Sequence, residues 1–313
     1  MLNAAWLTME RPTAEGLSWG FRADFYAGSD AALLRPLNNF GPQGPRWGTD
    51  FRQAYLLVHT PLIFSQGIDW TIGRINLPTG AETGLAPYQQ LYSRGYFWIH
   101  DETGGTALIA TLHAHRTLDL VVGTVMGYST FFEMRGRSPS YIGRVLFHPS
   151  GKTKQQLLAT VYSGPRPLAA TKEHVGRWQT LAELQLRQAW SGQFTQIFQT
   201  HYSADTRDPG NGGQTSVTRG AFVISALQIN RLVSFHTCLE WFSDPHGIRA
   251  TLPGNYGEAT VGVTIDPKSW LAIRPEIRVD LAGRPSFGAV DSNVRHRNQL
   301  SLALELVIKA RLF

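Results

Sequence analysis

Four ionisable side chains, Arg274, Glu276, Arg278 and Asp280, stand at alternate positions late in the chain. Alternate residues of a strand share one face, so these four would form a single row of mixed charge. Such a row breaks no bonds. It sets an electric field, and when enclosed it sorts ions. Ile273, Ile277, Val279 and Leu281 occupy the other face. In a water-soluble sheet the charged face looks outward and the apolar face covers a core. In a membrane barrel the assignment inverts, with apolar side chains against lipid and charges around a wet lumen.

Other chemistry is sparse. His113 and His115 lie two apart and could share a strand face as a metal pair, but a third ligand is not placed by the sequence. His236 and Glu240 share a predicted face with Ser234 and Cys238, which suits a polar lumen. Gly151–Thr153 reads GKT, yet a phosphate loop needs glycine five residues before Gly151, where Leu146 stands. No GxSxG elbow, HExxH helix or glycine-rich dinucleotide turn occurs. The expectation is no enzyme activity, no metal and no cofactor. Carboxylate pairs for glycoside cleavage leave no spacing signature, so a secreted carbohydrate-active β-protein stays open at this point.

Composition narrows the class. The 313 residues are 42% hydrophobic but only 17% charged, against roughly a quarter in typical soluble domains. Nine Trp, sixteen Phe and 31 Gly fit many strands joined by turns rather than a helical bundle. Net charge is +6, but Arg is scattered and no basic run exists, which argues against a nucleic-acid partner. A single cysteine, Cys238, excludes an internal disulfide. No stretch reaches the roughly 18 apolar residues of a membrane helix, which leaves a membrane barrel untouched. Residues 1–12 lack the charged start and apolar core of a secretion signal, so any export signal is expected outside this sequence.

The elements that would position the charged row repeat along the chain. In residues 16–26, Trp19, Phe21, Ala23 and Phe25 share one face, and Ser18, Gly20, Arg22 and Asp24 the other. Further strands are expected at 5–11, 51–61, 66–77, 106–114, 118–128, 141–147, 155–162, 178–189, 194–202, 219–227, 232–241, 258–265, 269–281 and 298–311. In 66–77 the phase slips at Gly73 and Arg74, as a bulge would allow. Asp266, Pro267 and Lys268 read as a turn. Residues 29–50 and 78–103 read as long loops, the second holding the aromatic run 88–98 around Arg94. Long connections are also expected at 129–140, 163–177, 203–218, 242–257 and 282–297, alternating with short turns. Short turns at one end and long loops at the other are the layout of an outer-membrane barrel. Trp190, Tyr202, Trp241 and Trp270 fall near strand ends, as interfacial girdles do. Bacterial barrels have even strand numbers, so fifteen strands imply about sixteen, with one strand ahead of this sequence or a miscount by one.

These residues resemble the beta-barrel porin-2 family of bacterial outer-membrane proteins. The resemblance rests on LTMERP at 7–12, WGFRADFYAGSDA at 19–31, GIDWTIGRINLPTGAE at 67–82, LYSRGYFW at 91–98 and WLAIRPEIRVD at 270–280. These motifs span nearly the whole chain. The family implies an outer-membrane channel in which Arg74, Arg94, Arg274, Glu276, Arg278 and Asp280 match recurrent polar positions. After Trp98 the sequence reads IHDETGGTALIAT, a departure from the family's usual turn. At the C-terminus the apolar phase falls on Ile308, Ala310 and Leu312, one residue from the usual register ending at Phe313.

The expected fold is therefore all-β: one antiparallel up-and-down transmembrane barrel over residues 1–313 in the bacterial outer membrane. Its expected function is passive diffusion of small hydrophilic solutes or ions, with lipid as its surround and a homo-oligomer as an option. Expected pore-lining residues are Arg22, Asp24, Arg74, Glu183, Arg187, His236, Glu240, Arg274, Glu276, Arg278, Asp280, Glu305 and Lys309. Tyr92, Arg94 and Tyr96 would belong to a loop that narrows the mouth. The basic excess implies a mild anion preference. A barrel acting as an adhesin without conductance is a third reading.

Overall fold

A computed structural model describes residues 3–33, 44, 46–64, 66–84, 86–99, 104–127, 132–134, 138–149, 154–166, 177–248, 252–288 and 294–310. Fifteen strands follow one another: β1 (Ala5–Arg11), β2 (Ser18–Gly28), β3 (Gly48–Thr60), β4 (Ile68–Ile75), β5 (Gly105–His115), β6 (Leu118–Val125), β7 (Ser140–Phe147), β8 (Gln155–Pro165), β9 (Trp178–Ala189), β10 (Phe194–Asp208), β11 (Gln214–Gln228), β12 (Val233–Asp244), β13 (Gly254–Lys268), β14 (Leu271–Ala282) and β15 (Asn298–Ile308). Each pairs antiparallel with its sequence neighbours in one sheet ordered β1 to β15. Among the described residues β15 and β1 are not paired with each other.

The sheet nevertheless curls round its own contents. Tyr92, in the connection between β4 and β5, accepts a hydrogen bond at its hydroxyl from Asn3 Nδ2, just ahead of β1, at 3.3 Å. Its backbone N–H reaches Glu276 on β14. One residue thus bridges the segment ahead of β1 and the penultimate strand, bringing the two ends of the sheet toward each other as in an up-and-down barrel.

The two faces are inverted relative to a water-soluble protein. On β15, Leu302 is 74% and Leu304 68% exposed, while Asp24 on β2 is 0%, Arg274 on β14 6% and Glu276 7% exposed. A soluble sheet would bury those leucines at roughly 2 kcal/mol each. Lipid is the solvent that makes such a face stable. The soluble carbohydrate-active reading has no support in this arrangement.

The apolar band has a membrane's height. Trp270 lies in the turn before β14, and Trp241 aligns through Gly257 with Leu281 near its far end. Roughly ten steps of ~3.3 Å, tilted ~40°, span ~25 Å, the height of the outward band of such barrels. Trp241 and Trp270 are both about half exposed, as girdle residues are.

Several boundaries differ from the sequence reading. Asp266, Pro267 and Lys268 are not a turn: β13 runs through them with a register shift between Ile265 and Lys268, and the turn is 269–270. Proline has no N–H to give a ladder, so it sits where pairing is already broken. The expected long loop 203–218 shrinks to 209–213, because β10 and β11 extend to Asp208 and from Gln214. Residues 29–50 contain a short helix, α1 (Ser29–Leu33), and the start of β3. The last strand ends at Ile308, and the expectation at Leu312 and Phe313 lies outside the described residues.

The phase slip in β4 is real, but its ladder stays in register, with Tyr55 opposite Gly73 and Ala54 opposite Arg74. Gly73 has φ 134°, and a Cβ there would strike the Ala54 carbonyl and Tyr55. The bulge lies one strand away, where Asp24 pairs Gln53 but Phe25 pairs Phe51.

Candidate functional site

The connection from β4 to β5, residues 76–104, enters the space enclosed by the sheet. Leu77 anchors its start, packing with Ile75, Ile109, Val125, Ile142, Tyr162 and Leu181 of the β4–β9 wall. The far part carries Phe97, which is fully buried against Phe222 and Phe242, with ring centroids 5.6 and 5.7 Å away. Tyr96 stacks on Phe242 at 6.0 Å. Two apolar anchors on opposite walls stretch the segment across the interior.

Between them, wall carboxylates grip its backbone. Glu240 on β12 accepts the N–H groups of Tyr96 and Phe97 at 2.6 and 2.8 Å. Glu276 on β14 accepts those of Tyr92 and Ser93 at 2.7 and 3.1 Å. Glu183 on β9 accepts the Gly80 N–H at 2.9 Å. Charge-assisted bonds of this kind are about twice as strong as neutral ones. Gly95 makes the approach possible, because an added Cβ would collide with a Glu240 carboxylate oxygen.

Basic residues complete the clamp. Arg278 donates from Nη1 to the Arg94 carbonyl at 2.7 Å, pairs with Asp280 through Nη2 at 2.6 Å, and lies 2.6 Å from Glu258. Arg274 donates to the Ala86 carbonyl at 2.8 Å and pairs with Glu305 at 3.2 Å. Tyr96 donates its hydroxyl to Asp280 at 2.9 Å. Arg94 turns back on its own loop, donating to the carbonyls of Thr83, Leu91 and Tyr92. Glu82 accepts the Gly95 N–H at 3.0 Å and the Gln89 amide at 3.2 Å. Burial pushes the Glu82 carboxyl up to about 6, against the opposing pull of Arg94.

The sequence-predicted residues therefore divide. Glu183, Glu240, Arg274, Glu276, Arg278, Asp280 and Glu305 gather with Tyr92, Arg94 and Tyr96 around the loop. Arg22 and Asp24 form a separate pair at 3.0 Å on β2, with Glu10 3.2 Å from Arg22 and Gln53 donating to Asp24. Arg74 pairs with Asp50 at 3.2 Å. His236 bonds Ser234 at 2.9 Å. Arg187 donates to Gln185 at 3.3 Å, away from the acidic cluster. Lys309 lies beyond β15 and is exposed.

His113 and His115 do not form a pair. A register shift between Leu112 and His115 separates them. His113 instead bridges Asp119 at 2.8 Å and Asp69 at 3.0 Å, and His59 and His148 extend that chain at 2.7 and 3.4 Å. No metal-holding group of three or more His, Cys, Asp or Glu residues occurs among the described residues. The GKT at 151–153 lies outside them.

Sequence reasoning missed Glu82, Glu258 and Phe97. Glu258 was legible, since Glu258, Thr260, Gly262 and Thr264 alternate with Ala259, Val261 and Val263. Glu82 and Phe97 belong to irregular backbone, where no period exists to mark a face.

Comparison with known proteins agrees with this architecture. A search of curated proteins gives no sequence match. Among solved structures, the anion-selective porin from Comamonas acidovorans aligns with TM-score 0.68 at 10% identity, covering 97% of this chain and 88% of that one. The outer membrane channel DcaP of Acinetobacter baumannii aligns with TM-score 0.62 at 10% identity, over 97% and 84%. The trimer form of OmpT of Vibrio cholerae aligns with TM-score 0.61 at 11% identity, over 97% and 88%. At these identities the likeness concerns the fold. The sequence profile of the family described as "Putative beta-barrel porin-2, OmpL-like" matches residues 1–309, and the chain belongs to that family as an outer-membrane channel of the bacterial envelope.

Proposed function

We propose that the chain works as one barrel domain through which small hydrophilic solutes or ions diffuse passively, without chemistry, past the segment 76–99. The observation that supports this most is the inward loop held by Glu183, Glu240 and Glu276 on three different strands. It narrows the interior with fixed charges rather than filling it with an apolar core.

In this reading Tyr92, Arg94 and Tyr96 are the constriction. Glu240, Arg274, Glu276, Arg278, Asp280 and Glu305 hold it and line the passage on the β12–β15 side. Arg22, Asp24, Arg74, Glu183, Arg187 and His236 line the remainder, with Lys309 at the short-turn rim. The mixed row of Arg and carboxylate along this wall imposes a local field on whatever passes. The net charge of +6 favours anions mildly. A homo-oligomer is part of the proposal, in keeping with the trimer form described for OmpT of Vibrio cholerae.

Planar-bilayer recording under a salt gradient tests the reading. Stepwise conductance with a reversal potential on the anion side is expected. Purified, folded protein that inserts without conducting would favour the adhesin reading.

A further inference from the structure

We propose that Arg187, with Lys154, forms a binding site for a small polyvalent oxyanion on the inner wall at the short-turn end. The proposal rests on the reading of that wall as the wetted face of the barrel.

The starting point is a contrast among arginines. Arg22, Arg74, Arg166, Arg177, Arg274 and Arg278 each face a carboxylate within ion-pair distance. Arg144 on β7 and Arg187 on β9 form no ion pair among the described residues. Arg144 aligns through Thr160 with Glu183, four residues before Arg187 on β9. The Glu183 oxygens are already engaged by the Gly80 N–H and the Gln199 amide. Arg144 Nε is buried without a hydrogen-bond partner.

Arg187 is also positioned. Its Nε donates to Gln185 at 3.3 Å, Gln185 donates to Gln199 at 3.2 Å, and Gln199 donates to Glu183 at 3.1 Å. This relay fixes the guanidinium through one nitrogen. Its two terminal nitrogens have no partner among the described residues. A planar fork held in this way matches two oxygens of a carboxylate or phosphate.

A cavity of about 230 Å³ lies beside it, lined by Lys154, Gln155, Gln156, Arg187, Gln188 and Gln196 among others, with no Asp or Glu in the lining. Two cations, Arg187 and Lys154, offer donors to an anion. Polyvalent oxyanions answer that charge better than chloride, and phosphate oxygens are the shared chemistry, whether on a free solute or on a lipid headgroup.

The test uses the full chain in lipid-free detergent, with inorganic pyrophosphate as the probe in titration calorimetry. Saturable binding is expected, with affinity falling tenfold or more in Arg187→Gln and several-fold in Lys154→Gln. Arg231→Gln removes the same charge from an exposed turn at the same end and is expected to bind as the parent does. Heat-modifiable migration on a gel establishes that each variant is folded. Equal affinity in folded Arg187→Gln and parent, or no binding by folded parent, overturns the site. So does binding confined to micelles containing anionic phospholipid. Bilayer recording keeps the two readings apart. Conduction without pyrophosphate binding removes the site alone, and binding without conduction removes the channel reading.

Discussion

The carboxylate of Glu276 on β14 accepts the backbone N–H of Tyr92, 184 residues away in sequence, at 2.7 Å. With Glu240 and Glu183 it turns a row of charges into a grip on the chain itself. The charged face of β14 is thus committed to holding a loop as well as to facing water.

Loosening that grip should be visible in current. Glu240→Gln leaves one N–H of Tyr96 or Phe97 facing an amide NH₂, and each lost bond to a charged acceptor costs about 2 kcal/mol. Flickering single-channel currents and faster hydrogen exchange at residues 92–97 are expected, with the barrel intact. A quiet channel with parental exchange would refute the anchoring role.

Gly95 offers a steric version of the same experiment. Gly95→Ala drives a methyl against Glu240, whereas Gly143→Ala meets nothing within 4 Å. Gly95→Ala should reproduce the Glu240→Gln currents and Gly143→Ala should not. Identical behaviour of the two would contradict the close approach.

Loop seating should depend on pH through Glu82. Its carboxyl is pushed up to about 6 in the folded loop, so folding favours the neutral form. That contribution is fully present below the ordinary carboxylate value and is lost as pH rises through about 6. Current noise should therefore increase from pH 4.5 to 7, and Glu82→Gln should flatten the profile. An unchanged profile in that variant would assign the dependence to another group.

The His–Asp chain is expected to act in stability. His113 bridges Asp69 and Asp119 on neighbouring strands at 3.0 and 2.8 Å. His113→Gln should lower barrel stability by about 2 kcal/mol in urea-driven unfolding from lipid vesicles. No change would mean that the bridge is solvated.

The sequence made the strands legible wherever one face meets lipid and the other water. β14 and β2 alternate cleanly for that reason. Alternation is already unclean in β10 over residues 194–202, which mix Phe and Gln, and beyond them the residues run SADTRD, where a strand that extends past the lipid has water on both sides. The turn after β13 was misread because Asp-Pro usually ends a strand, whereas here it makes an irregular step within one. The aromatic loop was visible in sequence, but its docking was not. Its partners are backbone N–H groups, which every residue but proline has, so no residue type marks them. The solitary state of Arg144 and Arg187 was equally hidden, because it depends on which carboxylates the neighbouring strands fail to bring near.

Orientation of the sheet is the claim on which the account depends, and nitroxide labels on β15 read it most directly. In a Cys238→Ser background in lipid vesicles, a label at Leu302→Cys should collide with oxygen and be shielded from a water-soluble nickel chelate. A label at Ser301→Cys should show the reverse. Leu302 shielded from both reagents, or open to the chelate, would contradict a lipid-facing leucine row.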